Sequence, residues 1–303
     1  MSKFRQHQIN LDTQIALSAI KQYNFTLPEL ELIKCLENTT FKLSSKEGKF
    51  LLRVYRGKHN TIQDIESEAQ IINYLRADSH YKYQEPIRNK ADNFVSIGDA
   101  KEIYKPVSIL SWIDSPPIGD ELQDLTLFYK IGKLIAHIHD RLSYWQTPDN
   151  LHRPMLDVNS LIGSNGAFKY APLAYRNLDE ETVDLIELVY NYLLEFETLN
   201  TRESGIFGII HGDLHLNNLI IHHNTLVPID FDDSGWGYYI YDLAVTLAKY
   251  WDTPEYSTIK NHLFEGYRSV KEISVEIESQ LPLFIAARYL FLVLYLTGKS
   301  WEE

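Results

Sequence analysis

Apolar residues recur along this chain with two different periods, and the change from one to the other divides it. Over residues 41–43 and 49–55, β-branched and aromatic residues flank the polar turn SSKEG, which predicts a hairpin. Its second strand, KFLLRVYR, is apolar enough to be central in a sheet. Ile62, Ile65, Ala69, Ile72 and Leu75 then repeat every three or four residues, the spacing of one buried helix face over 62–75. Further strands are expected at 93–97 and 105–113, ending before the turn DSPPIGD. On this pattern the first third consists of strands around one helix.

Beyond that turn the period becomes helical. Phe128, Ile131, Ile135, Ile138 and Leu142 mark one stripe over 120–142, and Val183, Ile186, Val189, Leu193 and Phe196 mark another over 180–197. Residues 145–172 between them are irregular and rich in Pro, Gly and Asn, and a loop of that length in a folded domain is more often functional than idle. Short apolar strands around polar turns return over 206–231, and helices are expected at 241–251, 255–267 and 275–297. No internal repeat or low-complexity tract interrupts the order. The expected fold is α+β, with a small strand-rich amino-terminal lobe (1–111) and a larger, mainly helical carboxy-terminal lobe (112–303).

Composition excludes several alternatives. Twenty Tyr, 13 Phe and 5 Trp in 303 residues are the opposite of what keeps a chain disordered. One cysteine, Cys35, can neither close an intrachain disulfide nor build a thiolate metal cage. The opening MSKFRQHQINLDT lacks the apolar core of a signal peptide, so a cytoplasmic protein is expected. The apolar run 281–296 contains Pro282 and Arg288 and is shorter than a bilayer span requires, so it is expected as a buried helix with no membrane partner. A net charge of −12 without a long basic patch argues against nucleic acid as a partner.

Candidate chemistry concentrates in HGDLHLNNLIIHHNTLVPIDFDDSGWGYYIYDLA, residues 211–244. Two apolar strands bracket the turn HHNT, and a hairpin there lets Asp213 and Asn218 face Asp230 across one site. Three oxygen-bearing side chains converging in this way suit Mg²⁺ held by a few protein oxygens plus substrate phosphates. His215, His222 and His223 lack zinc-ligand spacing. No G-x-x-x-x-G-K-[ST] loop, no G-x-G-x-x-G turn after a strand and no G-x-S-x-G elbow is present.

HGD followed by Asn218 and, after the hairpin, by IDF closely resembles the catalytic and metal loops of the aminoglycoside phosphotransferase and choline kinase superfamily, relatives of the protein kinases. IGKLIAHIH resembles the helix before the catalytic loop, and SILSWID the connector on which adenine rests. HRPMLDVNSLIG and EGYRSV resemble a bacterial branch that includes homoserine kinase-like proteins and a stress-response Ser/Thr kinase. The resemblance implies a protein-kinase-like bilobal fold with ATP and Mg²⁺ as cofactors.

It also implies roles. Asp213 would accept or orient the proton of the acceptor hydroxyl, Asn218 and Asp230 would hold Mg²⁺, and His211 would brace the loop. Arg53 stands where most of the superfamily carries lysine, with Glu68 as its ion-pair partner and Glu66 as the competing choice. Thr39 and Thr40 would meet phosphate in a turn that has no glycine, and Ser111, Trp112 and Ile113 would meet the base. Asp232, Asp233 and Trp236 are candidate substrate residues, although the two aspartates could equally cap the following turn. Asp242 is expected to secure loop backbone. The implied reaction is phosphoryl transfer to a hydroxyl of a small molecule such as an amino alcohol, amino sugar or amino acid. A Ser/Thr protein kinase and a nucleotide-binding scaffold without turnover are the alternatives.

Overall fold

A five-stranded antiparallel sheet organises the first part of the chain in the computed structural model, which describes residues 3–56, 61–77, 80–119, 124–202 and 205–299. Its strands are β1 (Glu29–Cys35), β2 (Asn38–Ser45), β3 (Gly48–Tyr55), β4 (Val95–Ala100) and β5 (Ile103–Ser111), in the order β1-β2-β3-β5-β4. Antiparallel register places Thr40, Arg53 and Ser108 side by side on one face. Thr39, Val54 and Val107 therefore lie on the other, because neighbouring residues in a strand point to opposite sides.

Two helices belong to this unit, not one. Helix α2 (Ile62–Arg76) starts at a capping box in which Thr61 and Asp64 satisfy each other's backbone amides. Helix α1 (Lys3–Ile20) breaks the expectation of strands around a single helix. It covers the sheet face that carries Phe41, Leu52, Val54 and Ile109, burying Leu11, Ile15, Ala16 and Ala19 against it. A Cβ at Gly98 of β4 would stand 2.3 Å from the Ile15 carbonyl oxygen, so only glycine lets the helix lie this close. Asp12 is fully buried in the same layer and accepts hydrogen bonds from Thr39 Oγ1 and Lys105 Nζ, both at 2.6 Å.

The chain divides into two compact units, one formed by residues up to Ser115 together with Thr147–His152, the other by Pro116–Gln146 and the residues from Arg153 onward. In the second unit, α3 (Leu127–Ser143) begins after a turn in which Asp124 Oδ1 accepts from the Thr126 amide and hydroxyl. It starts later than the expected 120, and residues 120–123 lie outside those described. The irregular segment contains a two-residue strand, β6 (Met155–Leu156), and three single-turn helices, α4 (Val158–Leu161), α5 (Gly166–Lys169) and α6 (Ala171–Ala174). Helix α7 (Glu180–Leu199) follows, capped by Asp179.

Next come β7 (Phe207–Ile210), the hairpin β8 (Leu219–His222) and β9 (Thr225–Pro228), and β10 (Gly235–Tyr238), which lies between β6 and β7. Helix α8 (Tyr239–Ala248) is buried along its whole length. Helix α9 (Tyr256–Arg268) crosses α3 where Gly132 meets Leu263 and Gly266 meets Tyr129. The expected helix over 275–297 is two, α10 (Val275–Ser279) and α11 (Leu281–Gly298). Pro282 explains the break, since it lacks an amide hydrogen and is tolerated only in a helix's first turn. By length and composition alone α11, with mean hydropathy 1.7, could cross a membrane, but half of it is buried within this unit.

Candidate active site

The HGD loop follows β7 and is tied down from beneath by a fully buried carboxylate. Asp242 Oδ2 accepts from the His211 amide and from His139 Nε2, and Oδ1 accepts from the Gly212 amide, all at 2.8–2.9 Å. Burial would push the Asp242 carboxyl up, yet these bonds hold it below the usual carboxylate range. Gly212 adopts φ +81°, and a Cβ there would stand 2.4 Å from the Asp233 carbonyl oxygen. His211 is fully buried, with Nε2 donating to the Ile229 carbonyl at 3.2 Å and Nδ1 accepting from the Asp213 amide at 3.4 Å. Burial lowers its pKa, so it is a neutral brace between loop and hairpin.

Asp213 projects from this braced loop. Its Oδ1 accepts from Arg288 of α11, while Oδ2 receives Asn218 Nδ2 at 3.1 Å and His215 Nε2 at 3.4 Å. Desolvation works against the charge, but the Arg288 guanidinium and His215 outweigh it and hold the carboxyl at about 2. Asp213 is therefore an ionised hydrogen-bond acceptor at neutral pH.

The hairpin brings Asn218 and the end of β9 together, as its spacing requires. The Ile229 amide donates to the Asn218 carbonyl at 3.0 Å, and Asp230 follows in a left-handed conformation (φ 66°, ψ 65°). Asn218 Nδ2 also donates to the Asp213 main-chain carbonyl at 2.9 Å. With its amino group on two acceptors, Asn218 directs its Oδ1 away from Asp213. An amide oxygen and a carboxylate together would make a hard, oxygen-only donor pair of the sort that binds Mg²⁺ with phosphates. Among the described residues no group of three His, Cys, Asp or Glu forms an all-protein metal cage.

A second carboxylate near Asp213 behaves differently. Asp233 ends the 3-10 turn Phe231–Asp233, and burial together with Asp213, Asp232 and Asp230 pushes its carboxyl well above the usual range, with Arg288 offsetting part of this. A cation placed there would relieve the repulsion. Asp232 is half-buried, and its main-chain carbonyl, like those of Phe231 and Ser234, accepts from Arg153. Trp236 lies in β10 between Ile209 and Met155, half-buried.

In the amino-terminal unit, Arg53 and Glu68 form the buried pair that the sequence suggested, NH1 to Oε1 at 3.2 Å. Tyr55 joins it, with its hydroxyl 3.3 Å from Glu68 Oε2. Glu66 instead accepts from the Val95 amide at 2.8 Å. Thr40 shares the Arg53 face, and its buried hydroxyl has no hydrogen-bond partner among the described residues. Thr39 does not share that face, which corrects the expectation that both threonines meet phosphate: its hydroxyl is bonded to Asp12 beneath α1. At the connector, the Ser111 amide donates to Glu85 O at 2.8 Å and the Trp112 amide to Lys49 O at 3.1 Å. Those two amides are already committed, and Ile113 beyond them is buried.

Sequence reasoning misses Arg288 and Arg153 as parts of the site. Arg288 was visible as a single charge in an apolar run, and Arg153 lay inside a quoted motif without a role. The signal was there, but the partners of these residues are distant in sequence.

Matches to known proteins agree with this geometry. The phosphotransferase enzyme family, APH, matches residues 31–273. Hydroxylysine kinase from Bos taurus is 25% identical over 242 residues, covering 74% of this chain and 63% of that protein. Amicoumacin kinase from Bacillus subtilis is 19% identical over 296 residues, covering 93% and 83%. Among solved structures, a microcompartment-associated aminopropanol kinase superposes with a TM-score of 0.79 at 24% identity, covering 95% of this chain and 90% of its own. The amicoumacin kinase hAmiN gives 0.81 at 17% identity, covering 96% and 88%. A protein-kinase-like fold, a family match over most of the length and an HGD loop braced as described lead to one conclusion: the chain belongs to the phosphotransferase enzyme family.

Proposed function

We propose that this protein transfers the γ-phosphoryl group of ATP to a hydroxyl of a small molecule that also carries an amine, an amino alcohol, amino sugar or amino acid. The observation that carries the reading is the Asp213 carboxylate, kept ionised and locked against Asn218 beside a carboxylate that favours a cation. In the reaction the acceptor oxygen bonds to the γ-phosphorus, the bond from that phosphorus to the β,γ-bridging oxygen breaks, and ADP departs. The acceptor's proton leaves through Asp213. Because this carboxylate is a weak base it acts chiefly by orienting the hydroxyl, which suits a loose transition state with late proton loss.

Asn218 and Asp230 would hold Mg²⁺, which when bound neutralises phosphate charge. Arg53, whose guanidinium is braced by Glu68, would meet the phosphates, and the Thr40 hydroxyl on the same sheet face would be a further donor. Arginine in the usual lysine position thus keeps a buried, paired cation, which weighs against a scaffold without turnover. Asp233 would take the acceptor's ammonium. The small-molecule acceptors named for hydroxylysine kinase and aminopropanol kinase favour this reading over a protein substrate.

The test is Mg²⁺-dependent ADP release from ATP across amino alcohols, aminoglycosides, homoserine, hydroxylysine and a generic protein substrate. Asp213→Asn should lower transfer by about 1000-fold, to a residual rate that is still measurable, and leave nucleotide binding within about threefold, the pattern of a group used only in the transition state. Asp230→Ala should remove Mg²⁺-dependent binding. Normal turnover in both variants, or no binding of Mg·ATP by the unaltered protein, would sink the reading.

A further inference from the structure

Arg288 is the single charged residue in α11, LPLFIAARYLFLVLYLTG, and its side chain is 9% exposed. A guanidinium buried in such a helix is strongly unfavourable unless it is paired and hydrogen-bonded. Here it donates to Asp213 Oδ1, and it lies 5.5 Å from the Phe291 ring centre. Helix α11 therefore reaches one oxygen of the acceptor-side carboxylate through its single charge.

The other oxygen has separate partners, Asn218 Nδ2 and His215 Nε2. The terminal torsion of an aspartate is broad and nearly two-fold, so an untethered carboxylate would turn freely about it. Arg288 on Oδ1, opposite Asn218 and His215 on Oδ2, holds that rotation from both ends, so the carboxylate keeps one direction. Stability alone does not require this arrangement, since a leucine at 288 would suit the surrounding apolar helix.

We propose that Arg288 is a positioning residue for phosphoryl transfer: held against Asn218 and His215 on the far oxygen, it completes the clasp that fixes the rotation of the Asp213 carboxylate toward the acceptor hydroxyl. The inference rests on the reading of Asp213 as the group that meets the acceptor. Arg288 itself touches neither substrate nor nucleotide on this account and acts only through Asp213.

The experiment compares the unaltered protein with Arg288→Met, Arg288→Lys, Asp213→Asn and the Asp213→Asn/Arg288→Met double variant. Steady-state rates are read on the acceptor found in the panel above, or as ADP release to water if none is found. Nucleotide affinity and melting temperature are read on the same samples. Arg288→Met should lower kcat by about 10- to 100-fold while KM for ATP stays within about twofold, the mark of lost orientation. Arg288→Lys, which keeps the charge and guards against an unfolded methionine variant, should recover part of that loss. In the Asp213→Asn background, Arg288→Met should cost nothing more, because residues acting as one unit are not additive. A kcat for Arg288→Met within about twofold of the unaltered protein, or additive losses in the double variant, would overturn the inference. Full activity in Asp213→Asn would instead overturn the reading of Asp213, so the two failures are distinguishable.

Discussion

Asp213 and Asp233 are two aspartates in one cluster with opposite electrostatics. Arg288 and His215 stabilise the charge of Asp213, whereas Asp233 faces desolvation and three other carboxylates. The same residue type is thereby held ionised in one place and pushed toward its protonated form in the other. Elsewhere at this scale, Glu68 is the partner of a nearly buried arginine. Replacing it with alanine leaves Arg53 without its counter-charge and should destabilise the amino-terminal unit by about 3 kcal/mol, measured by urea denaturation. A loss under about 1 kcal/mol would mean that Tyr55 or water compensates.

Helix packing sets the next scale, and the crossing of α3 and α9 is its clearest case. A Cβ at Gly132 would lie 1.9 Å from the Leu263 carbonyl oxygen, and backbone cannot yield as a flexible side chain would. Gly132→Ala should therefore cost at least about 2 kcal/mol by forcing the helices apart. Gly205→Ala, with nothing within 4 Å of its Cβ, should change the melting temperature little and serves as the control. The elements that the sequence reading captured are those whose pattern is local: the β2–β3 hairpin, α2, and the turn-and-hairpin segment that positions Asn218 beside Ile229. Helix α1 escaped because its buried face includes Asp12, Ala16 and Ala19, which dilute the apolar period. Thr39 was placed with Thr40 because a motif is read as a string, while a strand alternates faces. Arg288 was out of reach because its partner is set by the packing of α11 on α8, to which spacing along the chain gives no access.

For the molecule as a whole, pH dependence follows from groups buried under the HGD loop. His139 is fully buried, and burial lowers its pKa below 6.5 despite the Asp242 carboxylate beside it. The unfolded chain binds a proton near pH 6.5 that the folded protein refuses. The stability contributed by this site is therefore complete above pH 6.5 and declines as the pH falls below it. Asp242, whose carboxyl is held below the usual carboxylate range, loses its share only at much lower pH. Melting temperatures should thus fall between pH 7.5 and 5.5, with a slope of at most about 1.4 kcal/mol per pH unit for each such histidine. His139→Gln should flatten that slope even though it lowers stability at neutral pH. An unchanged slope in this variant would assign the effect to other groups.

The clasp between Arg288 and Asp213 joins residues 75 positions apart in the chain. Contacts of such long range form late, since the intervening segment must be ordered before its ends can meet. Every residue of the HGD motif can be present, and β7 to α8 already built with Asn218 and His215 on Oδ2, while Oδ1 still lacks its Arg288 partner. Competence for transfer is then a property of the finished tertiary structure and not of its motif. In refolding from urea, recovery of phosphoryl transfer should lag behind recovery of helical signal, so that catalysis reports the last step of folding.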